Sequence, residues 1–399
     1  MAKDREPDRW ISLKGGIHIP IYEGDTDADI KNRVAEAVGK KSTQSNKSNT
    51  ASNSSKMTGN SLDAHKKEND IAKNKTDAEK LNNESKYRDE LAKGDKVSMN
   101  NGKMTFKGKS VPEISTKEAG SQGPDSFTAH LKNGQLTPER AEVHRQIIED
   151  YFKGHQPYAP GEEKVAMFTG GGGASGKGVF TKTNKDTGKS NIGDFYSQNK
   201  NPLTIDPDDI KKALAKADGT EINGKNTGFY HEESSALAKQ IYATALQHNY
   251  PALYDGTATG SGVYELLKMS KDAGYKTEMN FLYSDWKTVR QNSLDRYVKQ
   301  HRLVPIREVM KAHKKAYDAV QDLSKSSLLD SIKVYDNAGR NLKLTADGGK
   351  GKGLSVKDAA SWKRFSESSG EFTLNEKQIE DYAKDVAYLK KKYKIPDED

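Results

Sequence analysis

Apolar and polar residues alternate along residues 9–21 on either side of Gly15-Gly16, the period of two expected of a β-hairpin. An isolated hairpin is marginal in water, so this one needs something to dock on. A short helix over 27–40 has Thr26 as its N-cap. Residues 41–61 are mostly Ser, Asn, Thr and Lys with almost nothing apolar, and such a stretch cannot offset the entropy of ordering. The charged run 62–93, with Ile71, Ala78, Leu81, Tyr87 and Leu91 as sparse apolar positions, reads as a solvated helix or a disordered segment. Residues 97–111 read as a small hairpin or loop. Regular patterning resumes near Leu136. Thr137-Pro138-Glu139 supplies a cap, a proline at the first helical position and an early acid, and Val143, Ile147, Ile148 and Tyr151 follow at helical spacing.

From there short apolar runs alternate with amphipathic stretches. Strands are predicted at 164–168, 251–254, 276–283 and 331–335, with another in 202–209 whose end releases Asp206, Asp208 and Asp209. Helices are predicted from Asp208 through Leu214 and at 232–248, 263–273, 286–301 and 305–323. This alternation implies an α/β fold: an open, mostly parallel sheet with flanking helices, preceded by a largely disordered N-terminal region. The chain then divides into a hairpin with a short helix (1–40), a flexible, charged, low-complexity linker (41–135), the α/β domain (136–345) and a C-terminal region (346–399). The last holds a glycine-rich turn and a helix at 375–393, whose Ile379, Tyr382, Val386 and Leu389 form a stripe for packing on the domain.

Composition agrees with a chain that is only partly packed: 33% of its 399 residues are hydrophobic and its mean hydropathy is −0.93. The net charge of +8 has two readings, lysine-rich solvated segments or contact with phosphorylated ligands or nucleic acid. There is no cysteine, which excludes disulfides and thiolate-held metals. No apolar run approaches the roughly 18 residues of a membrane helix and no signal-peptide core is present, so neither membrane insertion nor export is expected.

The candidate chemistry begins directly after the 164–168 strand. Gly171, Gly172, Gly173, Ala174, Ser175, Gly176 and Lys177 match G-x-x-x-x-G-K, a loop whose amides wrap a polyphosphate while the lysine reaches its outer phosphates. Gly178 then stands where the motif asks for a magnesium-binding hydroxyl, which Thr181, Ser175 or Asp206 would have to replace. Ligands of such sheets lie beyond the carboxyl ends of the strands, where Asp206, Asp208 and Asp255 fall. Phosphoryl transfer needs a base, for which Asp208 is the candidate, and a metal-side acid, for which Asp206 is. It also needs cations on a closing element: Arg290, Arg296, Arg302 and Arg307 lie close together, with Arg302 the first choice.

The glycine loop, then Leu203-Thr204-Ile205-Asp206-Pro207-Asp208, Leu253-Tyr254-Asp255-Gly256-Thr257, Ala273-Gly274-Tyr275-Lys276-Thr277 and Arg302-Leu303-Val304-Pro305, in that order and at similar spacing, resemble the zeta-toxin kinases over about half of the chain. The resemblance implies a P-loop kinase-like fold that uses ATP or GTP with magnesium to phosphorylate the sugar 3′-hydroxyl of UDP-N-acetylglucosamine. It makes Lys177 the phosphate-binding lysine, Asp208 the general base and Arg302 a lid arginine. Asp255 stands where many members have glutamate, Thr257 where members keep a threonine near the sugar nucleotide, and Glu232 or Glu233 matches the helix acid that holds substrate. The stretch 184–200 is longer than the family pattern. An antitoxin-like inhibitor is the implied partner. Phage-encoded proteins carry similar loops, and residues 9–21 resemble short elements of phage head-associated proteins, so a phage structural partner and a virion-associated location stand beside a cytoplasmic one. Two rival functions remain open: a non-catalytic nucleotide-binding virion protein and a polynucleotide kinase.

Overall fold

The computed structural model describes residues 9–13, 17–21, 26, 96–121, 123–181, 202–300, 303 and 306–395. The chain divides into two units, residues 1–84 and 85–399. In the first, β1 (Arg9–Leu13) and β2 (Ile17–Ile21) pair antiparallel with Leu13 opposite Ile17, the hairpin that the alternation predicts. The helix expected at 27–40, the linker 41–61 and the charged run 62–93 lie outside the described residues.

The second unit opens with β3 (Val97–Asn100), β4 (Lys103–Phe106) and β5 (Lys109–Ser110), an antiparallel sheet of three strands. A short helix, α1 (Ser126–Ala129), and a two-stranded ribbon, β6 (Leu131–Lys132) with β7 (Gln135–Leu136), lead into α2 (Pro138–Phe152). This corrects the linker boundary at 135. Val97, Phe106, Val111 and Phe127 are buried, and Phe106 stacks against Phe152 of α2 with ring centroids 4.5 Å apart. A few large apolar side chains, each worth about 2 kcal/mol when buried, anchor a stretch whose average polarity reads as loop.

The remaining elements run β8 (Val165–Gly170), α3 (Gly178–Thr181), β9 (Leu203–Ile205), α4 (Pro207–Ala217), α5 (His231–Gln247), β10 (Ala252–Asp255) and α6 (Gly262–Asp272). They continue with β11 (Lys276–Tyr283), α7 (Trp286–Gln300), α8 (Ile306–Lys314), α9 (Ala316–Lys325) and β12 (Ser331–Asp336). β13 (Lys343–Gly348), β14 (Leu354–Val356), α10 (Ala359–Glu371) and α11 (Glu376–Tyr393) complete the unit. One seven-stranded sheet has the order β14-β13-β12-β11-β8-β10-β9. β9, β10, β8, β11 and β12 are parallel, and β13 and β14 extend the sheet antiparallel.

β8 is central. The chain leaves it first toward β9 and β10 on one side, then toward β11 and β12 on the other, so the strand order reverses at its carboxyl end and opens a crevice there. Its Ala166, Met167 and Phe168 are buried, as expected of a parallel strand covered on both faces. The helix predicted over 305–323 is two helices meeting at Lys315. Among the described residues no helix is long and apolar enough to cross a membrane.

Candidate active site

β8 delivers the chain into the glycine run, where crowding dictates the residue type. A Cβ on Gly170 would lie 2.3 Å from the Phe281 ring, one on Gly171 2.3 Å from the Leu282 carbonyl oxygen, and one on Gly172 2.3 Å from the His313 ring. Gly171 and Gly176 take φ of +129° and +97°, a region that side chains disfavour.

Side chains from several elements occupy the loop's carbonyls. Lys177 Nζ donates to Gly171 O at 2.9 Å and to Gly172 O at 3.4 Å. His313 Nε2 donates to Gly173 O at 2.9 Å, and Asn292 Nδ2 donates to Ala174 O at 2.9 Å. Ser284 Oγ (2.7 Å) and Asn337 Nδ2 (3.1 Å) both donate to Ser175 O. No hydrogen bond among the described residues engages the N–H of Gly172, Gly173, Ala174, Gly176 or Lys177. With its carbonyls tied back and these amides unengaged, the loop has the form of a backbone nest, an arrangement suited to anions.

The acids sit at neighbouring strand ends. Asp206 caps α4, its Oδ1 accepting from Asp208 N at 2.8 Å. Asp208 accepts from Lys211 at 3.2 Å and from Arg296 at 3.4 Å. Asp255, at the end of β10, accepts from the Thr169 hydroxyl, and the Thr257 carbonyl accepts from Gly171 N at 2.8 Å. The charges of Asp255, Asp206, Asp208 and Arg296 all act on Lys177, whose pKa burial lowers against the pull of the three carboxylates. Asp206 is pushed up to about 6, by burial first and then by the charge of Asp255.

Of the arginines, the structure brings Arg296 to Asp208. Arg290 pairs with Asp385 of α11, Arg307 is exposed, and Arg302 lies outside the described residues. The assignment of Glu233 to substrate is corrected. Glu233 is fully buried, accepting from Arg140 at 2.7 and 2.8 Å and from His144 at 2.6 Å. Burial alone would raise its pKa, but these hydrogen bonds pull it down to about 2, so its charge is spent on holding α5 to α2. Its neighbour Glu232 differs: it is buried and its Oε1 has no hydrogen-bond partner among the described residues. The charges of Glu232 and Asp208 both act on His231, whose pKa is lowered first by burial and then by the charge of Lys211. Of the two helix acids, Glu233 is thus the one taken up by the Arg140 and His144 network.

Among the described residues no group of three His, Cys, Asp or Glu side chains is arranged to hold a metal ion. Magnesium asks less, one or two carboxylates with phosphate oxygens and waters. Asp206 and Asp255 fit that demand, since a cation beside them relieves the mutual repulsion that raises Asp206. The Ser175 hydroxyl is buried inside the loop without a partner among the described residues, and the Thr181 side chain lies outside them.

Fold and site together define a P-loop kinase-like domain: a mainly parallel sheet, an anion loop at its switch point and acids at the adjoining strand ends. Residues 148–346 match the family model described as Zeta toxin, and through this domain the chain belongs to the zeta-toxin family. No curated protein matches the chain. Among solved structures, a complex described as AvrRxo1-ORF1:-ORF2 with ATP aligns at a TM-score of 0.50 and 16% identity, covering 67% of this chain and 88% of that one. The same complex with sulphate ions aligns at 0.50 and 16%, covering 71% and 92%. A structure from the PezAT toxin-antitoxin system of Streptococcus pneumoniae aligns at 0.46 and 15%, covering 65% and 100%. At these identities the first two likenesses are of fold.

Proposed function

We propose that this protein is a phosphotransferase that moves the terminal phosphoryl group of ATP or GTP to a hydroxyl of a sugar nucleotide of the UDP-N-acetylglucosamine kind. The observation that carries the reading is the meeting of an anion nest, Lys177, Asp208 and Arg296 in one crevice. The triphosphate lies in the 171–178 loop, with Lys177 released from the loop carbonyls to the outer phosphates. The acceptor hydroxyl lies against Asp208, and Thr257 and Glu232 hold the sugar nucleotide. The hydroxyl oxygen forms a bond to the terminal phosphorus as the bond to the bridging oxygen breaks. Its proton passes to Asp208, and the nucleoside diphosphate leaves with the electron pair. Arg296, with Arg302 from the following segment, offsets charge on the transferring group. Magnesium would be held by Asp206 and Asp255 with phosphate oxygens, where it supplies charge neutralisation.

The AvrRxo1-ORF1:-ORF2 complex with ATP supports ATP as donor, and its two-chain composition supports a second protein that binds this domain, for which the family resemblance implies an antitoxin-like inhibitor. A phage structural protein is the alternative partner, and the lengthy N-terminal region is where it would attach. The test is to incubate the full chain with ATP, magnesium and a panel of sugar nucleotides, and to look by mass for the gain of one phosphoryl group. Lys177→Ala is expected to abolish the gain. Asp208→Asn is expected to cut turnover about a thousandfold while nucleotide binding is retained. Full activity in Asp208→Asn would refute the base assignment.

A further inference from the structure

His313 is a buried histidine that no step above uses. It lies on α8, 1% exposed, and its ring stacks on Phe372 with centroids 4.2 Å apart and planes 11° from parallel. The Nε2 edge of the ring fills the space that a side chain at Gly172 would need. Nε2 stands 2.9 Å from Gly173 O, and because a carbonyl can only accept, Nε2 carries the proton. Nδ1 is left buried with no partner among the described residues, a cost that the fold carries at this position. Burial, first, and the charge of Lys177 push the ring's pKa down to about 4, against the pull of the Gly173 bond, so at neutral pH it is an uncharged donor.

Phe372 is seated by the segment that leaves α10. The preceding residue, Glu371, accepts from the Trp286 N–H at 2.8 Å and from the Tyr283 hydroxyl at 3.1 Å. Tyr382 of α11 meets Ser293 of α7 at 2.8 Å. These contacts fix α7, which brings Asn292 to Ala174 O and Arg296 to Asp208. Residues 359–393 lie beyond the span matched by the family model, which ends at 346.

We infer that His313, held in place by Phe372, is a positioning residue that keeps the glycine loop in its anion-binding shape, so that the C-terminal helices are part of the nucleotide site. Turning the Gly173 carbonyl away from the crevice leaves the neighbouring amides facing it, which spares bound nucleotide the cost of reshaping the loop. The inference rests on the reading of this loop as a nucleotide site.

The test titrates the full chain with a fluorescent ATP analogue and measures the KM for ATP beside kcat. His313→Leu, which keeps apolar volume but loses the donor, should weaken nucleotide binding about tenfold, the worth of one hydrogen bond held away from water. KM should rise by the same factor with kcat at saturation little changed. His313→Gln restores an Nε2–H donor without a ring and should bind within about threefold of the wild type. Phe372→Leu, which keeps the donor but unseats it, should fall between the two. A purely structural histidine would make Gln, which loses the stack, no better than Leu. That result, or a His313→Leu chain that binds nucleotide as tightly as the wild type, would overturn the inference alone. A wild-type chain that binds no nucleotide would overturn both this inference and the function on which it rests.

Discussion

Two carboxylates near helix N-termini meet opposite fates in this fold. Glu233 in the first turn of α5 is held by Arg140 and His144 and stays ionised down to about pH 2, whereas Asp206 at the cap of α4 is raised to about 6 by burial and by Asp255. Arg140 continues the first network to Asp218 at 2.7 Å, and Asp218 accepts from Tyr230 at 2.9 Å. In the second region Asp206, Asp208 and Asp255 crowd one another and Lys177 turns back on its own loop. A saturated charge cluster builds the fold; one that repels itself is held ready for a ligand.

The largest effects should separate the two regions. Glu233→Ala strips the buried Arg140 of its buried carboxylate partner, leaving Asp218 alone to pair it, and should cost about 3–5 kcal/mol of stability in chemical unfolding. Lys177→Ala should leave stability within about 1 kcal/mol of the wild type, since among the described residues the lysine is hydrogen-bonded only to two carbonyls of its own loop. Equal losses in the two variants would erase the distinction.

His313 gives the next effect. Its folded pKa of about 4 lies below the ordinary 6.5, so the unfolded chain takes up the proton first and stability falls as pH drops from 6.5 to 4. This loss should reach about 3 kcal/mol, and His313→Leu should remove that part of the pH dependence in urea melts at pH 4.5 and 7.

Asp206 should show the reverse. Its folded pKa lies above the ordinary 3.8, so stability is lost as pH rises from 3.8 through 6. Asp206→Asn keeps an amide able to cap α4 and should stabilise the chain at pH 7 by about 1–3 kcal/mol while removing most magnesium-dependent activity. In the wild type, activity should fall about tenfold per pH unit below pH 6, as the acid is protonated. An Asp206→Asn chain that is both less stable and fully active would place Asp206 with Glu233 among the structural acids.

Much of this was legible in the residues. The central strands and their helices follow apolar runs with few exceptions, and the glycine loop and the Asp206, Asp208 and Asp255 strand ends lie where the switch-point rule puts them. What escaped did so for physical reasons. α10 buries Ser361, Phe365 and Ser368, so small hydroxyls stand where a core-facing helix usually shows apolar side chains and its stripe is faint. β13 and β14 are short, and burial does not follow their brief alternation, since Thr345 is buried while Leu344 and Val356 are exposed. Glu232 and Glu233 are adjacent in sequence but about 100° apart around α5, and only packing tells which meets Arg140. His313 lies far along the chain from the loop it touches, and no local spacing announces that contact.

The most direct measurement is the mass of UDP-N-acetylglucosamine after incubation with ATP, magnesium and either the wild-type chain or Asp208→Asn. The account predicts a gain of one phosphoryl group with the wild type and almost none with Asp208→Asn, although both bind ATP. The same gain with both proteins, or ATP binding with no transfer to any sugar nucleotide by the wild type, would contradict it.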